Sequence, residues 1–493
     1  MSHMILEKSG KNILSVRIQQ KPDCPPPYHV YECLGEYFVF DTSTKALYNT
    51  NKIAYSMLKK CLTGVSILEA RNQMLKEMTQ DTQNINAVAQ EIALLATNGL
   101  FECPDYTITD RYIDKCLERR YKDFGVSSLT VGMTESCNLA CVYCYCRDRQ
   151  ESYNRSMSKE TIKKTIDWHI TNSGNNKKLS LCFFGGEPLM NKSGIAYAVE
   201  YGRSAAKKVN KEYFYTMTSN VSLADEETAD FLKKNNIQVL VSHDGPKEIH
   251  DKQCPDRKGL GSFEQVSRGA KNIINRQKNV KVRNTMISPC PDINKLVNFY
   301  ERFGFSGVHL GPAGNPEFSK SKYDFSEEDY FRFYKQMEMM LPDILEKLKN
   351  KHPVFYDPYW KFAAQLDPFK GVRKISVSNC GAAGAGGLYV NVDGKIYPCH
   401  HFYDMESWVI GDINKPLDIN KLKQFWKRYT ACLKNCKTCW AALICENACA
   451  ANQMGKNGFF NEKVAFCNAK RYHLERVGYY YYHKESLLES NRS

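Results

Sequence analysis

The chain has 493 residues, 43% hydrophobic and 25% charged, with 20 cysteines and a formal net charge of +14. That length suits two or three domains with ordinary globular cores, and no run approaches the ~20 apolar residues needed to span a bilayer. The positive balance favours anionic partners, but lysines such as Lys207, Lys208 and Lys211 are scattered along helical patterns, and no basic stripe interleaved with aromatics argues for nucleic acid.

In chain order, alternating patterns over 28–34 and 36–41 predict a β-hairpin turning at Gly35, with 46–49 as a third strand. Helical patterns follow over 52–62, 67–78 and 85–98. Six apolar, β-rich segments come next, at 127–134, 179–186, 212–220, 237–245, 279–288 and 305–314, separated by helical patterns such as 159–171 and 224–235. They predict successive strands of a parallel α/β unit, and six βα units suggest a partial TIM-type barrel with its site at the C-terminal strand ends.

The polar motifs fall at those ends. Cys137, Cys141 and Cys144 form CxxxCxxC after the first strand. Three thiolates can hold three irons of a 4Fe-4S cube and leave the fourth open for an outside ligand, although a zinc site or buried thiols would share the spacing. Gly185, Gly186, Glu187 and Pro188 close the second strand, where glycines let backbone approach a ligand and a carboxylate can accept from an ammonium group. Thr218, Ser219 and Asn220 end the third strand, and Ser242, His243, Asp244 and Gly245 the fourth. Any one of these could be a β-to-α turn; four in order argue for a site.

Together they resemble the signature of radical S-adenosylmethionine (SAM) enzymes. The resemblance implies that the open iron chelates SAM through its amino and carboxylate groups, and that Tyr143 lies near the adenine. It implies that Gly185 to Pro188 bind the methionine amino group, that Ser219 and Asn220 contact the ribose, and that Ser242 meets the carboxylate. From the residues themselves, Asp244 and Asp251 are candidate acid/base groups, with Asp244 expected rather to order the turn after its strand.

Beyond the barrel, Cys380 is followed by 13 residues, Gly394, four residues and Cys399, then Cys436, Cys439, Cys445, Cys449 and Cys467. This resembles the seven-cysteine SPASM extension of radical SAM enzymes that modify peptides and proteins, and implies two auxiliary clusters, hence three 4Fe-4S clusters in all. The family's ligand sets would place Cys436, Cys439, Cys445 and Cys467 on the outer cluster, and Cys380, Cys399 and Cys449 on the inner one. Fully ligated members supply a further cysteine shortly before the first, and 371–380 (GVRKISVSNC) holds no other. The inner cluster then has an iron open to a substrate thiol, unless Cys432 fills it. A zinc ribbon built on CxxC is the alternative. A disulfide framework fits less well, since no secretory signal is visible. His400 and His401 either support a cluster ligand or belong to an ordinary polar loop, and the run Tyr479 to Tyr482 has no evident partner.

The first hundred residues resemble the winged-helix recognition element of maturases of ribosomally made peptides, in which a leader peptide adds a strand to a sheet edge; a generic DNA-binding winged helix is the alternative. The expected fold is α/β: a leader-recognition domain (1–110), a partial (β/α)6 radical SAM barrel (120–314), a bridge (315–375), a SPASM domain (376–470) and a tail (471–493). The implied function is a cytoplasmic radical SAM maturase that closes an intramolecular thioether in a precursor peptide, with a flavodoxin or ferredoxin-type electron donor. The same residues leave open a carbon-carbon crosslinking maturase and an anaerobic sulfatase maturase that forms formylglycine, against which the N-terminal element argues. A zinc-binding peptide or nucleic-acid adaptor is the non-enzymatic alternative.

Overall fold

The computed structural model describes residues 13–22, 24–103, 114–115, 118, 125–145, 154–313, 323–366, 387–403, 405–431, 435–445, 450–451 and 464–490. Strands β1 (Tyr28–Cys33), β2 (Glu36–Asp41) and β3 (Leu47–Thr50) form an antiparallel meander. Leu34 and Gly35 both take positive φ, 50° and 83°, the geometry that matches a two-residue turn to the twist of a hairpin. The Asp41 carboxylate accepts from the Ser43, Thr44 and Phe101 amides at 3.0, 2.7 and 2.9 Å, so one side chain shapes the β2–β3 turn and anchors the chain after the helices. Helices α1 (Lys52–Cys61), α2 (Ile67–Glu77) and α3 (Thr82–Thr97) bury Met57, Leu58, Ile67, Met74, Ile85 and Ile92 in a core of their own. Asn51 caps α1, and a Ser66–Glu69 capping box opens α2.

Among the described residues the central sheet has nine strands. β4 (Ser128–Thr134), β5 (Lys178–Gly185), β6 (Glu212–Ser219), β7 (Ile237–Ser242), β8 (Lys281–Met286) and β9 (Gly307–Pro312) lie side by side in chain order, each parallel to the next. Between them run α4 (Lys159–Thr171), α5 (Lys192–Lys208), α6 (Glu226–Lys234), α7 (Lys247–Gln253), α8 (Phe263–Ile274) and α9 (Ile293–Phe303). Strand side chains alternate faces. Leu129, Val131, Leu181, Phe183, Met217, Val239, Val241 and Val282 are buried in the main core. The opposite face carries Thr130, Cys182, Phe184, Thr216, Thr218, Ser242, Arg283, Thr285 and His309, none of them fully buried.

The sequence pattern misses the other three strands. β10 (Leu388–Val390) pairs parallel to β4, and β11 (Lys395–Tyr397) and β12 (Gly411–Asp412) continue the same sheet antiparallel. The segment leading to Cys399 therefore shares one sheet with the strand leading to Cys137.

Among the described residues the later helices are α10 (Glu327–Lys349), α11 (Trp360–Ala363), α12 (Ile419–Ala431) and α13 (Val464–Ser490). The expected boundary between residues 470 and 471 falls inside α13, which carries Cys467 and then crosses the N-terminal sheet. Arg476 Nε donates to Glu338 Oε1 at 2.8 Å, tying α13 to α10. His29 and His483 meet Glu475 and Glu36 at 3.0 and 2.9 Å. Phe38 packs edge-on to Tyr479 and Tyr482, while the Tyr480 hydroxyl donates to Asp357 Oδ2 at 2.6 Å. The tyrosine run is thus the seam between the two ends of the chain. At its centre a Cβ on Gly478 would lie 2.0 Å from the Tyr31 hydroxyl oxygen. Gly478→Ala is expected to cost about 1–3 kcal/mol through overpacking, despite alanine's better helix propensity. A lower thermal midpoint and faster proteolysis of the N-terminal domain would show this; an unchanged midpoint would mean the seam yields freely.

Candidate active site at the ends of the parallel strands

The loop bearing CxxxCxxC is braced on all sides. At its root, Arg155 Nε and a terminal nitrogen donate to the two oxygens of Glu135, each at 2.8 Å, and Arg155 reaches Asp393 at 2.8 Å. Tyr403 also donates to Glu135, so two residues flanking Cys399 help to hold this loop. Downstream, Ala140 N donates to Pro255 O and Val142 N to Gln253 O, both at 2.8 Å, and Leu139 bridges Asp256. Arg257 Nε donates to Cys137 O at 2.5 Å.

Cys137 sits where strands β5 and β6 end. Leu139 N lies 3.5 Å and Asn220 Nδ2 3.9 Å from its sulfur, donors suited to a thiolate. Burial nevertheless pushes its thiol well up, Glu187 adds to this, and Cys141 and Cys144 contribute smaller increments in the same direction. A buried Cys137 thiol whose charge is disfavoured is what bound iron would reverse, since a metal deprotonates its thiol ligands. The donor set therefore fits a cluster. Among the described residues no three donors converge on a single-ion site; a cube places each thiolate on a different iron and needs no such convergence.

Gly185 and Gly186 press against the root of the loop. Gly185 has φ +132°, and a Cβ there would stand 2.2 Å from Thr134 O; one on Gly186 would stand 2.2 Å from Ser136 O. Gly186 N and Glu187 N donate to those same two carbonyls, each at 2.8 Å. Only glycine permits this approach of β5 to the cluster loop.

Glu187 differs from the reading that its carboxylate awaits an ammonium group. It is buried, and its Oε1 accepts from Leu189 N at 3.0 Å and Ser219 Oγ at 2.7 Å while Oε2 accepts from Asn220 N at 2.8 Å. Burial lifts the carboxyl to about 6, and the three donors offset part of that rise. The carboxylate is a brace between β5 and β6. Ser219 is committed too: it donates to Glu187 and accepts from Val221 N at 2.9 Å. Asn220 Oδ1 accepts from the Ser222 amide and hydroxyl. Pro188, also buried, opens a short 3-10 turn.

Ser242 is half-buried at the end of β7, in register with Arg283 of β8. Asp244 does not order the turn after β7. His243 and His250 do so, their Nδ1 atoms accepting from Gly245 N and Asp244 N at 3.1 and 3.0 Å. The Asp244 carboxylate instead takes the Tyr143 hydroxyl at 2.7 Å, the Cys254 thiol at 3.2 Å and Thr285 N at 3.0 Å. Tyr143 thus directs its hydroxyl away from solvent into a buried network.

Cys380, Cys449 and Cys432 lie outside the described residues. Cys399 heads a 3-10 turn at the end of β11. The two histidines after it are not an ordinary polar loop: His400 packs on Phe184 at 4.6 Å and His401 on Tyr145 at 4.8 Å between ring centroids. Burial above all, with the Arg283 charge also contributing, keeps both neutral, His401 down to about 4. They fill the space between the two cysteine regions. Cys436, Cys439 and Cys445 lie on successive turns and Cys467 on α13, all partly buried. Between Cys439 and Cys445, Trp440 stacks on His29 at 3.9 Å and 7°. Sequence spacing gave no hint of His250, Cys254 or Arg283, which act across strands.

Comparison with known proteins agrees with this geometry. A profile of the radical SAM superfamily matches residues 131–301, and one of an iron-sulfur cluster-binding domain, SPASM, matches 380–440. The chain carries a radical SAM domain followed by a SPASM domain. It is a SAM-dependent radical enzyme that modifies a substrate. Among its relatives is the cysteine-type anaerobic sulfatase-maturating enzyme of Clostridium perfringens (strain 13), 25% identical over 71% of this chain and 95% of that one. The solved structure of native anSMEcpe with bound AdoMet and Cp18Cys peptide shares the mixed α/β fold, with TM-score 0.60 and 23% identity over 75% of this chain and all (100%) of that one. Streptococcus suis SuiB bound to S-adenosylmethionine covers more of this radical SAM–SPASM chain, 90% against 99% of its own, at TM-score 0.52 and 14% identity. No helix among the described residues is long and apolar enough to cross a membrane.

Proposed function

We propose that this enzyme forms an intramolecular thioether between a cysteine sulfur and a carbon of a ribosomally made precursor peptide. The observation that carries the reading is the N-terminal meander. The match to the sulfatase-maturating relative spans 95% of that protein but only 71% of this chain, so more than a quarter of this chain lies outside it. Among the described residues β1 and β3 each pair on one side only, with β2, and a strand paired on one side has an edge to which an extended peptide can add. A peptide substrate is consistent with the peptide bound in the anSMEcpe structure.

In this reading the meander and its helices are a winged-helix-like leader-recognition domain, and the six parallel strands a (β/α)6 partial barrel. Cys137, Cys141 and Cys144 hold the first of three 4Fe-4S clusters; Gly185, Gly186 and the open strand ends around Ser242 receive SAM. Cys380, Cys399 and Cys449 hold the inner auxiliary cluster and Cys436, Cys439, Cys445 and Cys467 the outer one. When bound, the first cluster and SAM supply the 5'-deoxyadenosyl radical that removes one hydrogen from the peptide. The chain positions that C–H bond, with Phe184, His400 and Tyr145 walling the space from water. The thiol proton leaves with the bond-forming step and the surplus electron would pass to an auxiliary cluster, so each thioether removes two hydrogens. A flavodoxin or ferredoxin-type donor would supply electrons in the cytoplasm.

A second reading, conversion of a sulfatase cysteine to formylglycine, is favoured by the name of the relative. Both are tested by incubating a cysteine-containing candidate precursor anaerobically with enzyme, SAM and reductant, then measuring its mass before and after thiol alkylation. Loss of two hydrogens with one fewer alkylatable thiol is expected. Loss of sulfur with a new aldehyde would give the sulfatase reading, and two hydrogens lost with every thiol still reactive would mean a carbon-carbon bond.

A further inference from the structure

Cys254 has no ligand spacing in the sequence, yet the fold brings it to the first cluster's ligands. The pairing of 139–142 with 253–256 runs antiparallel, with Leu139 bridging Asp256, Ala140 N donating to Pro255 O and Val142 N to Gln253 O. In that register Cys254 stands opposite Cys141, and opposed residues in an antiparallel pair hold their Cβ atoms about 4.5–5.5 Å apart. Cys254 is 4% exposed, and its own backbone is fixed: its N donates to His250 O at 2.7 Å and its O accepts the Ser262 hydroxyl at 2.5 Å. His250 Nε2 then donates to Ser262 at 3.1 Å, because its Nδ1 is taken by Asp244 N. Asp244 is 1% exposed and gathers three donors from three elements: Tyr143 in the cluster loop, Cys254 after α7, and Thr285 on β8.

We propose that Asp244 and Cys254 are positioning residues for reductive SAM cleavage: the Asp244 carboxylate, taking the Tyr143 hydroxyl and the Cys254 thiol together, locks the loop between the second and third ligands to the segment after α7. This rests on the assignment of Cys137, Cys141 and Cys144 as cluster ligands. A buried carboxylate with three donors holds the loop rigidly, which keeps the open iron aligned with SAM.

The test is EPR of the reconstituted full-length enzyme with and without SAM, alongside the rate of 5'-deoxyadenosine formation. Cys254→Ala, which removes one of the carboxylate's three donors, is expected to broaden the SAM-induced EPR change and to slow cleavage, and Cys254→Ser to restore both, since serine keeps a donor. Asp244→Asn is expected to keep iron content but to broaden the SAM-induced EPR change and to lower cleavage about tenfold, the scale of losing a hydrogen bond to a charged group. A wild-type EPR response and rate in Cys254→Ala would overturn the proposal for Cys254, and an unaltered EPR response in Asp244→Asn would overturn it for Asp244. If Cys254→Ala does not fold, the near-isosteric Asp244→Asn still decides the loop's role. A SAM-responsive signal that survives Cys137→Ala would refute the ligand assignment itself, a different failure from either of these.

Discussion

Cys137→Ala is expected to reduce 5'-deoxyadenosine formation to background while leaving the fold in place. Cys137 lies at the meeting point of three structural supports: its carbonyl is held by Arg257, its sulfur faces Leu139 N and Asn220 Nδ2, and its loop presses on Gly185 and Gly186. Losing the sulfur removes one of three thiolates from a cube that has no fourth protein ligand in its motif, so the variant cannot hold the site-differentiated cluster. The packing loss is small, because a thiol is a small hydrophobe with a weak donor. Anaerobic chromatography of the nucleoside products after incubation with SAM and dithionite checks this. Retained 5'-deoxyadenosine would mean that the initiating cluster is held elsewhere.

Glu187→Ala is expected to be the most damaging substitution outside the cysteines. Its carboxylate joins Leu189 N, Ser219 Oγ and Asn220 N in a site with almost no solvent access. Alanine would strand two backbone donors and a hydroxyl, each costing about 1–3 kcal/mol when buried without a partner. Removing a carboxyl whose own burial is unfavourable returns part of that, and a net loss of about 3–5 kcal/mol is expected, as for breaking other buried charged contacts. Because the freed strand ends also carry the candidate SAM contacts, SAM affinity should fall together with stability. Thermal unfolding and SAM binding of the same variant check it. Weakened SAM binding with unchanged stability would mean that the carboxylate contacts SAM directly rather than bracing the strands.

Much of the parallel sheet is legible because period-two alternation is strong where one face packs on helices. Leu129 and Val131, Leu181 and Phe183, and Val239 and Val241 each mark a strand and its buried side. Cysteine spacing is equally explicit, since neighbouring ligands to one cluster must lie close in sequence when they share a loop. What escapes the sequence is long-range. β10 to β12 are two or three residues long, too short for a period, and β10 pairs with a strand more than two hundred residues earlier. The tyrosine run in α13 has partners on β2 and beside α11, on different sides of the helix, so no single apolar stripe announces it. Glu187 is conspicuous in its motif, yet its role depends on amides that only the fold brings near. Cys254 and His250 carry no spacing signal; the register with the cluster loop alone gives them a place.

The most direct test of the account is whether the peptide itself gives up the hydrogen. A uniformly deuterated precursor, incubated anaerobically with enzyme, SAM and reductant, should yield 5'-deoxyadenosine one mass unit heavier in step with the modified peptide. Peptide modification accompanied only by unlabelled 5'-deoxyadenosine would contradict it.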